Sequence, residues 1–493
     1  MTDTGRVIQP LGWRTQRTIF GTPGPSEIVE ELDQITTVDL AHVVMLVHQG
    51  LMAKDTGVGL LRTITRLRSE RFRELYDLPA PRGLYLMYED YLTRVLGAEV
   101  GGTLHTGRSR NDLKATTQAM RLRDWLLGFL DEAVRLEAVL LSRARVYRDV
   151  VMPVYTHFQA AMPITYGYYL AGVVIALGRD IDAAQHAADG LRQSPMGAGA
   201  IAGTDLPIDP ALVARLLGFD EPPVHAIDAV ASRDVLLRIL GAASSGALTL
   251  SRLGMDLQLW STAEFGFLVF PDRLVGGSSA MPQKRNAFLL EHVKAKAGIA
   301  AGAWTAATAA MKSTPFTNSI EVGTEAVSGA LPGLDAAAEA ILLCQVLVSG
   351  ARPAPERMLQ RAEEGFTTAT SIANRLVLNG VPFRVAHHAV GAAVREAVAR
   401  GTTRLPTVVS PEGAGQIAVE AMDTASTAAA HDRGGGPGAF NGAFAAAYQA
   451  LLRHRQWCSD RRERLRQGRG ELADAVGGLL AGHQDRRTEG KFR

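Results

Sequence analysis

The chain has 493 residues, 47% hydrophobic and 21% charged, which is long enough for two or three domains with cores of their own. Its formal net charge of +2 excludes the strongly basic surface that binds nucleic acid or an acidic membrane, and two cysteines are too few for a disulfide framework or a zinc cluster. No signal-peptide core and no apolar run long enough to cross a bilayer is evident, so we expect a cytoplasmic protein.

Long helical segments dominate the predicted secondary structure. Residues 1–112 form a mixed helical region, and from 113 onward apolar residues recur at three- and four-residue steps. Five long segments follow this pattern, at 113–151, 164–188, 234–267, 288–311 and 325–348. Shorter helices are predicted in 351–493. The pattern predicts an all-α fold with domains at 1–112, 113–350 and 351–493, in which the central helices form a bundle and their surplus apolar faces make subunit contacts.

A loop between two of these segments carries the residue types needed for proton abstraction. Residues 277–286 read Gly-Ser-Ser-Ala-Met-Pro-Gln-Lys-Arg-Asn, so Ser278 lies in a flexible backbone whose N–H groups can turn toward an anion. Lys284 and Asn286 add a cation and an amide. Such a loop can remove a proton beside a carboxylate and stabilise the charge that develops. The same run is also typical of a linker that leads into a helix, so its function depends on partners elsewhere.

A second polar cluster precedes the first long helix. Residues 105–112 read His-Thr-Gly-Arg-Ser-Arg-Asn-Asp, and Ser109, Arg110 and Asn111 offer donors suited to carboxylates. The alternative interpretation is a polar loop between domains in which Asp112 caps the next helix.

A third cluster, at 155–163, lies in the connection between two predicted bundle helices. It reads Tyr-Thr-His-Phe-Gln-Ala-Ala-Met-Pro and contains His157. A histidine in such a connection is either a structural hydrogen-bonding residue or a catalyst. Glu291, just beyond the serine loop, would raise the basicity of this imidazole if the two side chains meet.

These three clusters together resemble the fumarase/aspartase superfamily, and specifically its argininosuccinate lyase branch. Residues 277–286 match the signature loop of the superfamily, 105–112 match the first motif of the branch, and Thr156-His157-Phe158-Gln159 match the second. Further similarity at 194–203, 232–234 and 368–396 extends the resemblance over most of the chain after residue 80.

The resemblance implies an all-α subunit of three domains whose central bundle joins three others in a homotetramer, with each active site built from three subunits. It implies elimination of fumarate from a small N-succinyl amine, with no metal and no organic cofactor. By matching position, Ser278 would take the Cβ proton, while Lys284 and Asn286 would hold the succinyl carboxylate as it becomes an aci-carboxylate. The remaining matched residues would bind carboxylates (Ser109, Arg110, Asn111 and Thr156), line the pocket (Gln159) or assist the departing nitrogen (His157 with Glu291).

The chain departs from the resembled family on the amine side of the substrate. Phe316, Glu321 and Thr324 stand where the family has the tyrosine, glutamine and lysine that hold the arginine half, and Tyr85 stands where a histidine is usual. Threonine in place of lysine removes the partner of an α-carboxylate. Glutamate in place of glutamine would repel that carboxylate and favour an additional amine. We therefore expect a carbon–nitrogen lyase with altered amine specificity, from a specialised pathway.

Two other interpretations stay open at this point. One is a genuine argininosuccinate lyase of arginine biosynthesis, in which the binding residues are redistributed. The other is a catalytically silent scaffold of the same fold, which is disfavoured because the matched residues are all present: Ser278, Lys284, Asn286, His157, Glu291 and Arg110.

Overall fold

The computed structural model of the protein describes residues 9–410, 417–432 and 434–489, and most of them are helical. Within these ranges the α-helices are α1 Trp13–Phe20, α2 Pro25–His48, α3 Lys54–Ser69, α4 Leu84–Leu96, α5 Ala98–Gly101, α6 Arg110–Val146, α7 Tyr166–Ala187, α8 Pro210–Leu216, α9 Ala226–Ala231, α10 Asp234–Trp260, α11 Phe288–Met311, α12 Val327–Gly350, α13 Pro355–Glu364, α14 Ala369–Leu378, α15 Phe383–Ala399, α16 Thr424–Ala429 and α17 Pro437–Glu489.

The described strands form three small antiparallel pairs. They are β1 Val151–Thr156 with β2 Gln159–Thr165, β3 Leu268–Val269 with β4 Arg352–Pro353, and β5 Val408–Val409 with β6 Ala418–Val419. The first pair is a hairpin that occupies the connection between α6 and α7. The expected all-α class is thus confirmed, with these short pairs as local additions.

The centre of the subunit is a bundle of α6, α7, α10, α11 and α12, which correspond to the five long segments expected from the apolar periodicity. Close packing within it depends on small side chains. A Cβ on Gly333 of α12 would lie 2.4 Å from the Cβ of Ala303 on α11, so these two helices approach each other at a point where no larger residue fits. A π-helical turn, Glu321–Ala326, leads into α12, and Pro332 lies inside that helix.

The buried apolar residues of the described ranges fall into three clusters. The bundle core is the largest, a second lies among α2, α3, α4 and α8, and a third is formed by α14, α15 and the β5–β6 pair. Helix α17, which belongs to the range 351–493, packs along α6 and α7 and also contacts α3. The domain borders at 112 and 350 remain a prediction.

Among the described residues, one helical stretch, Glu321–Gly350, is long and apolar enough to cross a membrane by length and composition, although acidic residues interrupt it. Half of its most apolar window is buried within the subunit, where it forms part of the bundle. A core helix of this kind meets the same criterion, so the stretch is weak evidence for a membrane span.

Candidate active site

The polar cluster at 105–112 forms the N-terminus of α6. Ser109 is the N-cap residue: its Oγ accepts from the Asn111 backbone N–H (3.3 Å), and the Asp112 carboxylate accepts from the Ser109 N–H (2.9 Å). The second Asp112 oxygen accepts from the N–H groups of Gly197 and Gly199 (3.2 and 2.9 Å). Burial raises the pKa of the Asp112 carboxyl, and these three backbone hydrogen bonds oppose the rise. The capping role expected for this cluster is therefore shared by Ser109 and Asp112.

This arrangement presents the start of α6 to the turn at 194–203. The Asn111 Nδ2 donates to the Ala200 carbonyl (2.9 Å), which orients its amide, whereas Arg110 is exposed at the first position of the helix. A helix N-terminus with an adjacent arginine and amide is suited to a carboxylate, because the unpaired N–H groups and the guanidinium attract the same charge.

A buried network of hydrogen bonds and an ion pair holds the loop before α6 in place. The Arg108 guanidinium pairs with Asp39 (2.5 Å), both side chains being fully buried, and also donates to the Tyr85 hydroxyl (3.3 Å). That hydroxyl lies 2.8 Å from His105 Nδ1 and 3.3 Å from a Glu89 oxygen. Tyr85 therefore anchors the loop, and Arg108 is committed to an internal ion pair.

The segment that carries the amine-side departures lies beside this cluster in the same subunit. Phe316 and Glu321 are exposed, and the Thr324 hydroxyl accepts a hydrogen bond from the Lys114 Nζ (2.5 Å). One turn further along α6, the Gln118 side chain donates to the Gly323 carbonyl (2.7 Å). A cation thus reaches position 324 from another element, although the side chain at that position is itself uncharged.

Sequence reasoning missed Lys114 and Gln118, although a signal was present. Asn111, Lys114 and Gln118 recur at three- and four-residue steps and therefore share the face of α6 that begins at the polar cluster.

A cleft of about 700 Å³ runs along this face of α6 and is bordered by α2, the start of α10, and the segment that includes Gly323 and Thr324. Arg233, at the start of α10, donates to the Gln118 Oε1 (2.9 Å), and desolvation lowers the pKa of its guanidinium to about 10. Desolvation and, after it, the charge of Arg233 lower the pKa of Lys114. On the α2 side, desolvation raises the pKa of the Glu31 carboxyl.

The histidine cluster forms the tip of the β1–β2 hairpin. Thr156 and Gln159 are its last paired residues, and the two-residue turn between them has positive φ at His157 (49°) and Phe158 (60°), as in a type I′ turn. All four side chains are exposed, Phe158 to 76%. The hairpin therefore projects His157 away from its own subunit.

The two ends of the serine loop are hydrogen-bonded to each other, and its tip is exposed. Gly276 and Asn286 exchange two backbone hydrogen bonds of 2.8 Å, which brings the ends of the loop together. Within it, the Ser278 Oγ accepts from the backbone N–H groups of Ala280 (3.3 Å) and Met281 (3.1 Å). Two donors aimed at one hydroxyl oxygen stabilise negative charge on it, as a serine that acts as a base requires.

Neighbouring contacts fix the end of this loop at the start of α11. The Arg285 guanidinium binds the Asp272 carboxylate (2.5 Å) and the Phe270 carbonyl (3.1 Å), and Lys284 is exposed beside it. Glu291 lies in the first turn of α11, where its carboxylate accepts from the Gln258 amide (3.3 Å).

A single subunit brings together only part of the expected site. The cluster at the start of α6 and the segment around Thr324 meet. Within the described ranges, however, no hydrogen bond or ion pair joins His157 to Glu291, or either of them to Ser278. The same ranges hold no group of three or more His, Cys, Asp or Glu side chains placed to bind a metal ion.

The chain is similar to known proteins both in sequence and in structure. Residues 85–302 match a family described as Lyase, and residues 366–424 match one described as argininosuccinate lyase C-terminal. The structure of EDDS lyase in complex with formate is 27% identical, covers 95% of each chain and has a TM-score of 0.83. That of an EDDS lyase variant with bound fumarate is 26% identical, covers 96% of this chain and 99% of the other, and has a TM-score of 0.81. The fold alone is shared with the class II fumarase from Schistosoma mansoni (15% identical, 77% and 85% covered, TM-score 0.65).

The two family matches and the similarity to EDDS lyase together identify this protein as a lyase. It belongs to the fumarase/aspartase superfamily, as an argininosuccinate-lyase-like member.

Proposed function

We propose that the protein is a carbon–nitrogen lyase that eliminates fumarate from an N-succinyl amine, with Ser278 as the base. The observation that carries the proposal is the pair of backbone hydrogen bonds to the Ser278 Oγ inside a loop that also holds Lys284 and Asn286. The relationship to EDDS lyase, of which a variant has been crystallised with bound fumarate, supports fumarate as the shared product.

In the proposed reaction, Ser278 removes a proton from Cβ of the succinyl group. The electron pair moves into the adjacent carboxylate, which becomes a doubly charged aci-carboxylate held by Lys284 and Asn286. When that charge returns to form the carbon–carbon double bond, the bond from Cα to nitrogen breaks, and the amine takes up a proton delivered through His157 with Glu291. Ser109, Arg110, Asn111 and Thr156 hold the carboxylates, and Gln159 lines the pocket.

The proposed site requires several copies of the chain, because among the described residues no hydrogen bond or ion pair joins the hairpin, the serine loop and the α6 cluster within one subunit. A homotetramer formed through the bundle is supported by large apolar side chains exposed along α10, α11 and α12. These are Leu248, Met255, Ile299, Trp304, Leu331, Leu342 and Val346, each at least 40% exposed. We place the protein in the cytoplasm, since both of its cysteines are free thiols.

The amine half of the substrate is proposed to differ from arginine, because Phe316 and Glu321 replace the tyrosine and glutamine with which the family holds the arginine half. Argininosuccinate itself is the second candidate. It is favoured by Lys114, which supplies a cation at Thr324.

The first experiment follows fumarate release from argininosuccinate by ultraviolet absorbance, and fumarate consumption with a panel of amines. Ser278→Ala should reduce turnover by about 10²–10⁴-fold, the usual contribution of a general base. Ser279→Ala is the matched control and should retain turnover.

Rapid release from argininosuccinate would identify the second candidate, whereas turnover unchanged in Ser278→Ala would exclude the proposed base. Absence of turnover with every substrate and amine would favour the silent scaffold.

A further inference from the structure

Resting on the proposed function, we infer that Gly365 is a positioning residue for His157. It allows the end of α13 to lie directly against Ala160 of the β1–β2 hairpin, and this contact determines where the hairpin tip and its imidazole lie.

The contact between Gly365 and Ala160 is too close for a side chain at position 365. A Cβ on Gly365 would lie 2.7 Å from the Cβ of Ala160. Non-bonded carbon atoms are most stable at about 3.5–4.0 Å, so the two atoms would have to separate by roughly 1 Å. Because an alanine Cβ cannot rotate away, the backbone of the hairpin or of α13 would have to move.

The backbone conformation of Gly365 does not itself require glycine. Its φ of −87° and ψ of 4° are open to residues with a side chain, and the residue directly follows the last turn of α13. Alanine is favourable in such a place by helix propensity. The close approach to Ala160 is therefore what glycine provides here.

The packing of the hairpin makes its tip sensitive to this contact. Ala160 pairs with Tyr155 of β1, so the two side chains lie on the same face of the hairpin. The Tyr155 ring packs against Phe265 and Phe267, with centroids 5.7 and 6.4 Å apart. A displacement at Ala160 would lift the hairpin from this packing and carry His157 with it.

A second glycine contacts the other end of β2. The Gly435 carbonyl accepts a hydrogen bond from the Thr165 N–H (3.0 Å), and a Cβ on Gly435 would lie 2.8 Å from the Ile164 Cγ2. The chain leaves for α14, α15 and the β5–β6 pair at Gly365, and it returns through α16 to Gly435. Both connections to this C-terminal cluster therefore hold β2.

The imidazole of His157 depends on this support. Among the described residues it has no hydrogen-bonding partner in its own subunit, and it lies at the exposed turn of the hairpin. The hairpin backbone alone therefore determines its position within the subunit.

The first test is Gly365→Ala, assayed by fumarate turnover with the substrate that the wild type accepts. We expect turnover to fall by about 10²-fold, because a misplacement of roughly 1 Å has a cost of this size. Gly391→Ala, in α15, is the matched control: its Cβ would meet only the Arg395 Nη1, at 3.8 Å, and it should behave as the wild type. Wild-type turnover in Gly365→Ala would overturn the inference.

Two double variants separate positioning from a general loss of structure. Ala160→Gly removes the opposing Cβ, so Gly365→Ala with Ala160→Gly should regain most of the turnover of Ala160→Gly alone. In His157→Ala, the further loss caused by Gly365→Ala should largely disappear, because residues that act through one group are not additive. A failure of the rescue, or an equal loss with and without His157, would contradict the assignment.

Hydrogen exchange of the backbone amides at 151–165, measured without substrate, separates this inference from the proposed function. Exchange should be faster in Gly365→Ala by about 10-fold or more, as expected from the cost of overpacking, and should return toward the wild-type rate in the double variant with Ala160→Gly. This result would support the contact even if no fumarate is formed, in which case only the proposed function fails. Exchange unchanged in Gly365→Ala would overturn the inference whatever the turnover.

Discussion

The two adjacent serines of the serine loop differ in their surroundings. The Ser278 hydroxyl oxygen receives two backbone hydrogen bonds, whereas Ser279 is exposed. An ordinary serine hydroxyl is far too weakly acidic to act as a base at neutral pH, and donors fixed at its oxygen lower the free energy of the alkoxide. The loop geometry therefore favours Ser278, which the resemblance had selected by position alone.

A buried histidine far from the proposed chemistry joins three helices. His454 of α17 lies 2.9 Å from a Glu137 oxygen on α6 and 3.0 Å from an Asp182 oxygen on α7. Burial alone would lower the pKa of this imidazole, but the hydrogen bonds and charges of Glu137 and Asp182 outweigh it and raise the pKa above 6.5. The His454 side chain therefore attaches α17 to the bundle, and its charged form does so most strongly.

The stabilising effect of His454 should depend on pH. Because its folded-state pKa is raised, the contribution is fully present below pH 6.5 and is lost as the pH rises through the folded-state value. His454→Gln should destabilise the subunit by roughly 3–5 kcal/mol at the acidic end of this window, since Glu137 is left buried without its partner. Thermal unfolding of both proteins from about pH 6 to about pH 9 measures the difference, which should narrow toward alkaline pH. A difference that is constant over this range would show that packing, and not charge, is what His454 contributes.

At the scale of secondary structure, the sequence predicted the elements whose signal is local and missed those that depend on distant partners. The apolar periodicity of the five bundle helices is long, and the glycine and proline residues inside them do not interrupt it. Their presence was therefore predictable. The β1–β2 hairpin was not, because His157 and Phe158 at its turn are neither the glycine nor the asparagine that usually mark positive φ.

The same reasoning explains which parts of the site were predictable. Ser278, Arg110 and His157 lie in contiguous motifs and could be identified from the chain. The contact of Lys114 with Thr324 joins residues 210 positions apart, so no local pattern contains it. It places a cation beside position 324, which the threonine alone does not indicate.

The hairpin tip carries two features that cost stability, and they point to a functional role. Phe158 adopts the left-handed conformation and is 76% exposed. Phe158→Gly should leave the fold intact or stabilise it by up to about 1 kcal/mol, since glycine adopts this conformation without a steric penalty. It should reduce turnover if the ring packs against a neighbouring subunit and thereby positions His157.

Thermal unfolding and fumarate turnover, measured on the same variant, test whether the conformation of Phe158 lowers stability but is needed for activity. Phe158→Asn, which tolerates positive φ but lacks the ring, serves as the control and should show the same loss of turnover. Full activity in both variants would mean that the tip has no part in the site.

At the scale of the molecule, the exposed apolar faces of α10, α11 and α12 and the separation of the motif loops have one common explanation. If the bundles of several subunits pack together, the apolar side chains are buried, and loops at opposite ends of each subunit can meet across the new contacts. Light scattering should then give the mass of four subunits, and a monodisperse monomer would contradict the proposed site.

A stronger test asks whether Arg110 and Ser278 of one active site come from different subunits. Arg110→Ala and Ser278→Ala are each expected to be inactive as homotetramers. When the two variants are co-expressed with different tags and the mixed tetramers are isolated, random assembly leaves roughly a quarter of the sites with both residues intact. About that fraction of wild-type turnover should return. If both residues of a site belonged to one subunit, every site would carry a defect and no activity would return, so the absence of recovery in correctly assembled mixed tetramers would place Arg110 and Ser278 of each site in a single chain.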